Sequence, residues 1–264
     1  MRQEMDDMPG SEPVLFEARG NVAVISLNRP DRRNAVDANT CQLLRGAVNQ
    51  LESDAGLAVG VLRGNGPVFC SGMDLRAFVN GQAEEILFGE GRFGGFVSRQ
   101  RTKPLIAAVH GAAVAGGFEL MLACDLVVSA EGCLFGLPEA KRGLVAGGGG
   151  AIRLGEILPP AIANEILLTG EIFDAKRALG LGLVNRMTTE SNLIEAAMIL
   201  AQAIGRNAPL SIQNGLTLAK AARRNQQDLW ALNDKVLRDM IASRDAAEGA
   251  IAFSEKRSPI WRGN

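Results

Sequence analysis

Histidine occurs once in the 264 residues, at position 110, and tyrosine does not occur. One imidazole rules out most Ser-His-Asp schemes and most His-rich metal centres. It follows an apolar stretch and precedes a glycine, which reads as a structural or peripheral position. No GxSxG elbow is present, since "CSGMD" (70–74) has the wrong order. No GK[ST] follows the glycine run "VAGGGGAIRLG" (145–155), so a nucleotide phosphate loop is excluded. That run reads as close backbone packing at a helix start, beside which an acyl group could lie.

Paired cysteines are missing too. Cys41, Cys70, Cys124 and Cys133 form no CxxC, and Cys124 and Cys133 are nine apart with no partner histidine, so no zinc spacing exists. "MRQEMDDMPGSEP" at the start is polar, with no secretory apolar core. Reduced thiols in a cytoplasmic protein are the expectation. The charge-free residues 104–118 are interrupted by glycines and fall short of the ~20 residues a membrane helix needs. Neither sign of charge dominates: 28 basic against 29 acidic residues give a net −1. No bulk positive field would hold nucleic acid. No metal, membrane or nucleic acid is expected.

What remains is an ordinary globular balance, 47% hydrophobic and 22% charged, long enough for one large domain with a sizeable core. Residues 1–13 read as a flexible N-terminus. "NVAVISLNRP" (21–30) alternates β-branched residues up to a proline and reads as a strand. "DANTCQLLRGAVNQLESD" puts Leu43, Leu44, Ala47, Val48 and Leu51 on one helical face, with Asp37 as its cap. "LAVGVLRG" (57–64), "KPLIAAVHG" (103–111) and "CDLVVSA" (124–130) read as further strands, with a helix from about residue 117. This alternation predicts an α/β fold with largely parallel pairing over residues 14–194. Strand signals stop near residue 190. "LWALNDKVLRDMIA" spaces Leu229, Leu232, Val236, Leu237, Met240 and Ile241 as a helix face. Residues 195–264 are therefore read as a helical region with an apolar face to cover.

Two carboxylates stand out. Glu119 sits in "AGGFELMLACD" (115–125), a stretch otherwise almost wholly apolar, where an unpartnered carboxylate is costly to bury. Glu139 sits in "FGLPEAKRG", directly after a proline. The plain readings are an exposed helix position for Glu119 and an acid favoured by a helix dipole for Glu139. "FCSGMDL" (69–75) and "VAGGFE" (114–119) could each offer a backbone N–H to one oxygen. Spacing alone brings none of these together.

Six segments in order give the chain a resemblance: "ISLNRPDRRNAVD", "FCSGMDL", "KPLIAAVHGAAVAGGFELMLACDLVVSAE", "FGLPEAKRGLVAGGGGAIRL", "LTGEIFDAKRALGLGLVNRM" and "EGAIAFSEKRSPIW". Over nearly its whole length the chain resembles the enoyl-CoA hydratase/isomerase (crotonase) superfamily. The resemblance implies an α/β spiral of repeated ββα units with a C-terminal helical trimerisation region, as a homotrimer or dimer of trimers. It implies that the N–H groups of Met73 and Gly116 form an oxyanion hole for an acyl-thioester carbonyl. Glu119 would act as the base on water and Glu139 as the proton donor to C2, the pair sharing one proton. Arg33 and Arg76 would contact coenzyme A phosphates. Ala35, Ser71, Asp74 and Leu75 would hold its adenine and pantetheine arm. Phe253 and Lys256 would close over it, often from a neighbouring subunit. Coenzyme A is then part of the substrate, and no separate cofactor is implied.

Both acids together imply hydration of a 2-enoyl-CoA thioester. "ILPPAIANEILLTG" and "EKRSPIWRG" are also similar to carnitinyl-CoA dehydratases (crotonobetainyl-CoA hydratases), whose substrate would need an anion or aromatic cage for its trimethylammonium group. Double-bond isomerisation through Glu139 alone, and a non-catalytic RNA-binding relative, complete the alternatives.

Overall fold

The computed structural model describes residues 12–223, 239 and 243–264. The leucine-rich face at 229–241 and most of the N-terminal segment lie outside these residues. β1 (Val14–Arg19) and β2 (Val22–Leu27) pair antiparallel through a two-residue turn whose first residue, Gly20, has φ 61°. β3 (Val59–Gly64), β4 (Leu105–Val109), β6 (Leu126–Ala130) and β9 (Arg186–Thr188) extend that sheet in parallel, in the order β1-β2-β3-β4-β6-β9. Every residue of β2 and β4 is buried, as parallel strands covered on both faces should be.

The pleat sorts these residues into two cores. Ile25, Leu27, Leu62, Leu105, Ala107 and Val109 face helix α1 (Ala38–Ser53) and the site. Val22, Val59, Val61, Ile106 and Val128 face a long C-terminal helix, Leu193–Gly205, through its Leu193, Ala197 and Ala201. That helix straddles the 194/195 boundary and completes the sheet's second core. The α1 cap forms as read: Asp37 Oδ1 accepts from Thr40 N at 2.8 Å.

A second, small sheet carries the site. β5 (Ala112–Val114), β7 (Leu134–Gly136) and β8 (Phe173–Asp174) lie in the order β5-β7-β8. Phe118, Phe135 and Phe173 pack behind it with ring centroids 5.8–6.1 Å apart. Helix Gly116–Ala123 starts one residue after β5, and every residue from Gly116 to Leu122 is buried. A helix apolar all round has no solvent face to offer. Glu119 is therefore 4% exposed, and the exposed-helix reading of it is overturned.

The C-terminal helix Pro209–Arg223 is tied to the body of the protein by charge. Asp125 takes Arg101 Nη1 on Oδ2 and Lys220 Nζ on Oδ1, each at 2.9 Å. Burial pushes the Asp125 pKa up, but these two cations hold it below its ordinary value. All four cysteines are free thiols, and no helix of the described residues is long and apolar enough to cross a membrane.

Candidate active site

Helix Gly116–Ala123 is entered through Ala115, a non-glycine residue at φ 52°. That turn leaves Gly116 at the first helical position, where no carbonyl of the helix is available to its N–H. Gly116 has no room for a Cβ, which would stand 2.3 Å from the Phe93 ring. On the facing turn, Val36 N donates to Gly72 O and Asp74 N donates to Val36 O. Successive amides of an extended chain alternate sides, so the Met73 N–H faces away from Val36. Gly72 (φ 100°) brings the two turns into contact: a Cβ there would be 3.0 Å from Gly116 N. The turns that carry the two candidate donors thus lie against each other, and Met73 and Gly116 both line one cavity.

One helical turn beyond Gly116, Glu119 Oε1 accepts the Gly150 N–H at 2.9 Å. The glycine run makes this approach possible. A Cβ on Gly148 would stand 2.5 Å from Glu119 Oε2, and one on Gly150 3.0 Å from Oε1. Burial pushes the Glu119 pKa up to about 7, with help from the Glu139 charge. Glu139 opens the short helix Pro138–Arg142 and is half-buried. Its Oε2 is buried with no hydrogen-bond partner among the described residues. Burial raises its pKa as well, against its own backbone N–H and Arg142. A carboxyl whose ionised form is disfavoured is suited to acting as a proton donor inside the cavity.

A cavity of about 640 Å³ joins these groups. Its wall includes Glu119, Glu139, Met73 and Gly116, and also Arg33, Ala35, Ser71, Asp74, Leu75 and Arg76. The loops bearing Arg33 and Ser71 are clipped together by Ser71 N donating to Arg33 O at 3.0 Å. Asp74 is committed within the protein: it caps the amides of Arg76 and Ala77 and accepts from Arg29 Nη2 at 3.0 Å. It shapes the wall and has little capacity left for a ligand. Lys256 (φ 56°) is exposed and stands outside this cavity's wall; the Phe253 side chain lies outside the described residues.

Sequence reasoning passed over Arg32, Arg142, Phe78, Phe88, Phe93 and Gly148, which also line the cavity. The glycine run was a signal for Gly148. No pattern in the sequence marked the phenylalanines. His110 is structural, with Nε2 2.7 Å from Gly66 O.

A family model described as enoyl-CoA hydratase/isomerase matches residues 17–264. Curated relatives named carnitinyl-CoA dehydratase, from Salmonella typhi and Salmonella typhimurium, are 40% identical over 260 residues, covering 96% of this chain and 99% of theirs. Among solved structures, an enoyl-CoA hydratase from Mycobacterium tuberculosis H37Rv is 47% identical with a TM-score of 0.91, covering 96% of this chain and 100% of its own. A carnitinyl-CoA hydratase from Mycobacterium avium is 41% identical with a TM-score of 0.74, covering 96% and 99%.

Proposed function

The chain belongs to the enoyl-CoA hydratase/isomerase family, and from that premise we propose that it adds water reversibly across the 2,3 double bond of a 2-enoyl-CoA thioester. Related hydratases and dehydratases are hydro-lyases, and this chain is an enzyme of that type. The observation that carries the proposal is the meeting of two raised carboxyls, Glu119 and Glu139, with Met73 and Gly116 on the wall of one cavity.

The thioester oxygen is received by the N–H groups of Met73 and Gly116. Ionised Glu119 takes a proton from water as the water oxygen bonds to C3. The electron pair of the double bond moves toward the carbonyl, and the two amides stabilise the negative charge that develops there. Protonated Glu139 then gives its proton to C2. One proton is taken and one given, so the pair ends with its proton on the other acid. Dehydration runs the same steps in reverse. Arg33 and Arg76 sit at the cavity wall as exposed cations suited to phosphate, and Ala35, Ser71 and Leu75 line the route of the pantetheine arm. Phe253 and Lys256 would act from a neighbouring subunit, through a C-terminal oligomerisation region (195–264) that closes a trimer or dimer of trimers around the ββα spiral. The enzyme would be cytoplasmic.

Loss of enoyl absorbance from crotonyl-CoA tests the reaction. Wild type should turn it over, and Glu119→Gln and Glu139→Gln should each lose about 10²–10⁴-fold in kcat. Undiminished turnover in both variants would refute the mechanism.

A second reading, action on a carnitinyl or crotonobetainyl thioester, is supported by the names of the 40%-identical relatives and by one observation. Phe78, Phe88 and Phe93 all line the cavity, and aromatic rings are what a trimethylammonium group packs against. Running crotonobetainyl-CoA beside crotonyl-CoA in the same assay decides between the two by their ratio of kcat/KM.

A further inference from the structure

Arg153 lies outside the cavity wall but touches what holds Glu119 in place. It belongs to helix Gly150–Ile157, which begins at the glycine run. Its Nη1 is 3.4 Å from the Gly148 carbonyl, and its Nη2 donates to the Val97 carbonyl. The guanidinium passes so close to Gly149 (φ 96°) that a Cβ there would stand 2.2 Å from Nη1. One rigid, planar fork thus joins the glycine run to the segment that carries Phe93. Both of those pack together at the acid: a Cβ on Gly148 would meet Glu119 Oε2 at 2.5 Å and Phe93 Cβ at 3.2 Å.

The charges complete the picture. Glu119 is faced by Glu139 from the turn at 138–142 and by Arg153 from helix Gly150–Ile157. Arg153 is faced by Glu119, Glu156, the Cys124 thiol and Arg101. Arg153 is itself desolvated, which lowers its pKa, and Glu119 is the largest influence opposing that shift. A desolvated guanidinium that touches no substrate and faces one buried carboxylate needs a reason to be there.

We propose that Arg153 is a positioning residue of this site: its fork fixes the glycine run against the Glu119 carboxylate, and its cation faces that carboxylate inside the apolar wall. Its kinetic consequence rests on the hydration reading above; its effect on the Glu119 titration does not.

Infrared difference spectra, wild type minus Glu119→Gln, isolate the Glu119 carboxyl band and give its midpoint. In Arg153→Gln that midpoint should rise, as expected when a facing cation is lost. Arg153→Lys keeps the charge and loses the fork. It should hold the midpoint near that of wild type while kcat on crotonyl-CoA falls about ten-fold and KM stays within two-fold. A folded Arg153→Gln protein with an unmoved midpoint overturns the electrostatic role. Should Arg153→Gln not fold, the lysine variant decides: full kcat there, or a midpoint displaced upward, overturns the proposal. Failure of the wild type to hydrate crotonyl-CoA would remove the reaction but leave the titration result standing.

Discussion

At the residue scale, burial makes the charge of Glu119 costly. Its folded pKa of about 7 lies above the 4.5 of the free side chain. The folded state therefore holds that proton to higher pH than the unfolded chain does, and stability falls as pH rises from 4.5 through 7. The shift amounts to about 3 kcal/mol, lost in full above pH 7. Glutamine keeps the acceptor for Gly150 N–H and never ionises. The stability of Glu119→Gln relative to wild type, by urea unfolding, should therefore improve by about 3 kcal/mol between pH 4 and pH 9. A difference that does not vary with pH would contradict this account. Glu119 was conspicuous in the sequence because its neighbours are apolar. Its partners were not, since Gly150 is 31 positions away and nothing local marks the pairing.

At the element scale, the glycine run is a fitted surface. A methyl group on Gly148 would collide with Glu119 Oε2, the movable end of a side chain, more severely than with any backbone atom. Gly148→Ala should therefore unfold within about 1 kcal/mol of wild type. On the proposed mechanism its kcat should fall about 100-fold, because the carboxylate must swing away from the water it would deprotonate. A thermal melt paired with steady-state kinetics checks both halves. Elements with a long, clean period were legible: α1 with its Asp37 cap, β2, β3, β4 and β6 stand within a few residues of where their patterns put them. The small sheet was not. β5, β7 and β8 have three, three and two residues, too few for any alternation to show, and tertiary contact alone makes them strands. The site hangs on that sheet, so its assembly was visible only through resemblance.

At the scale of the whole molecule, Asp125 is a joint. It gathers Arg101, whose side chain is 3% exposed, and Lys220 from helix Pro209–Arg223. Removing the carboxylate leaves Arg101 buried without its counter-charge. Asp125→Asn should cost about 3–5 kcal/mol at neutral pH. The Asp125 pKa is depressed in the folded state, so its contribution is present above 3.8 and lost as pH falls through the lower folded value. The gap between wild type and variant, measured by thermal unfolding, should narrow below pH 3.8 and stay constant above it. A gap that persists unchanged in acid would assign Asp125 a role as hydrogen-bond acceptor alone.

Helix Gly116–Ala123 also acts as a gauge. Gly116 offers the amide and Glu119 the carboxylate from a single turn, three residues apart, about 4.5 Å along the axis. That backbone interval is set by the helix, and substitutions elsewhere in the cavity wall leave it unchanged. On the proposed mechanism, the residue that receives the thioester oxygen and the residue that holds the water would keep this backbone spacing for every substrate. Adaptation to longer, bulkier or charged acyl groups would then fall to Phe88, Leu144 and Val145, whose exposed side chains line the same cavity and lie outside that helix.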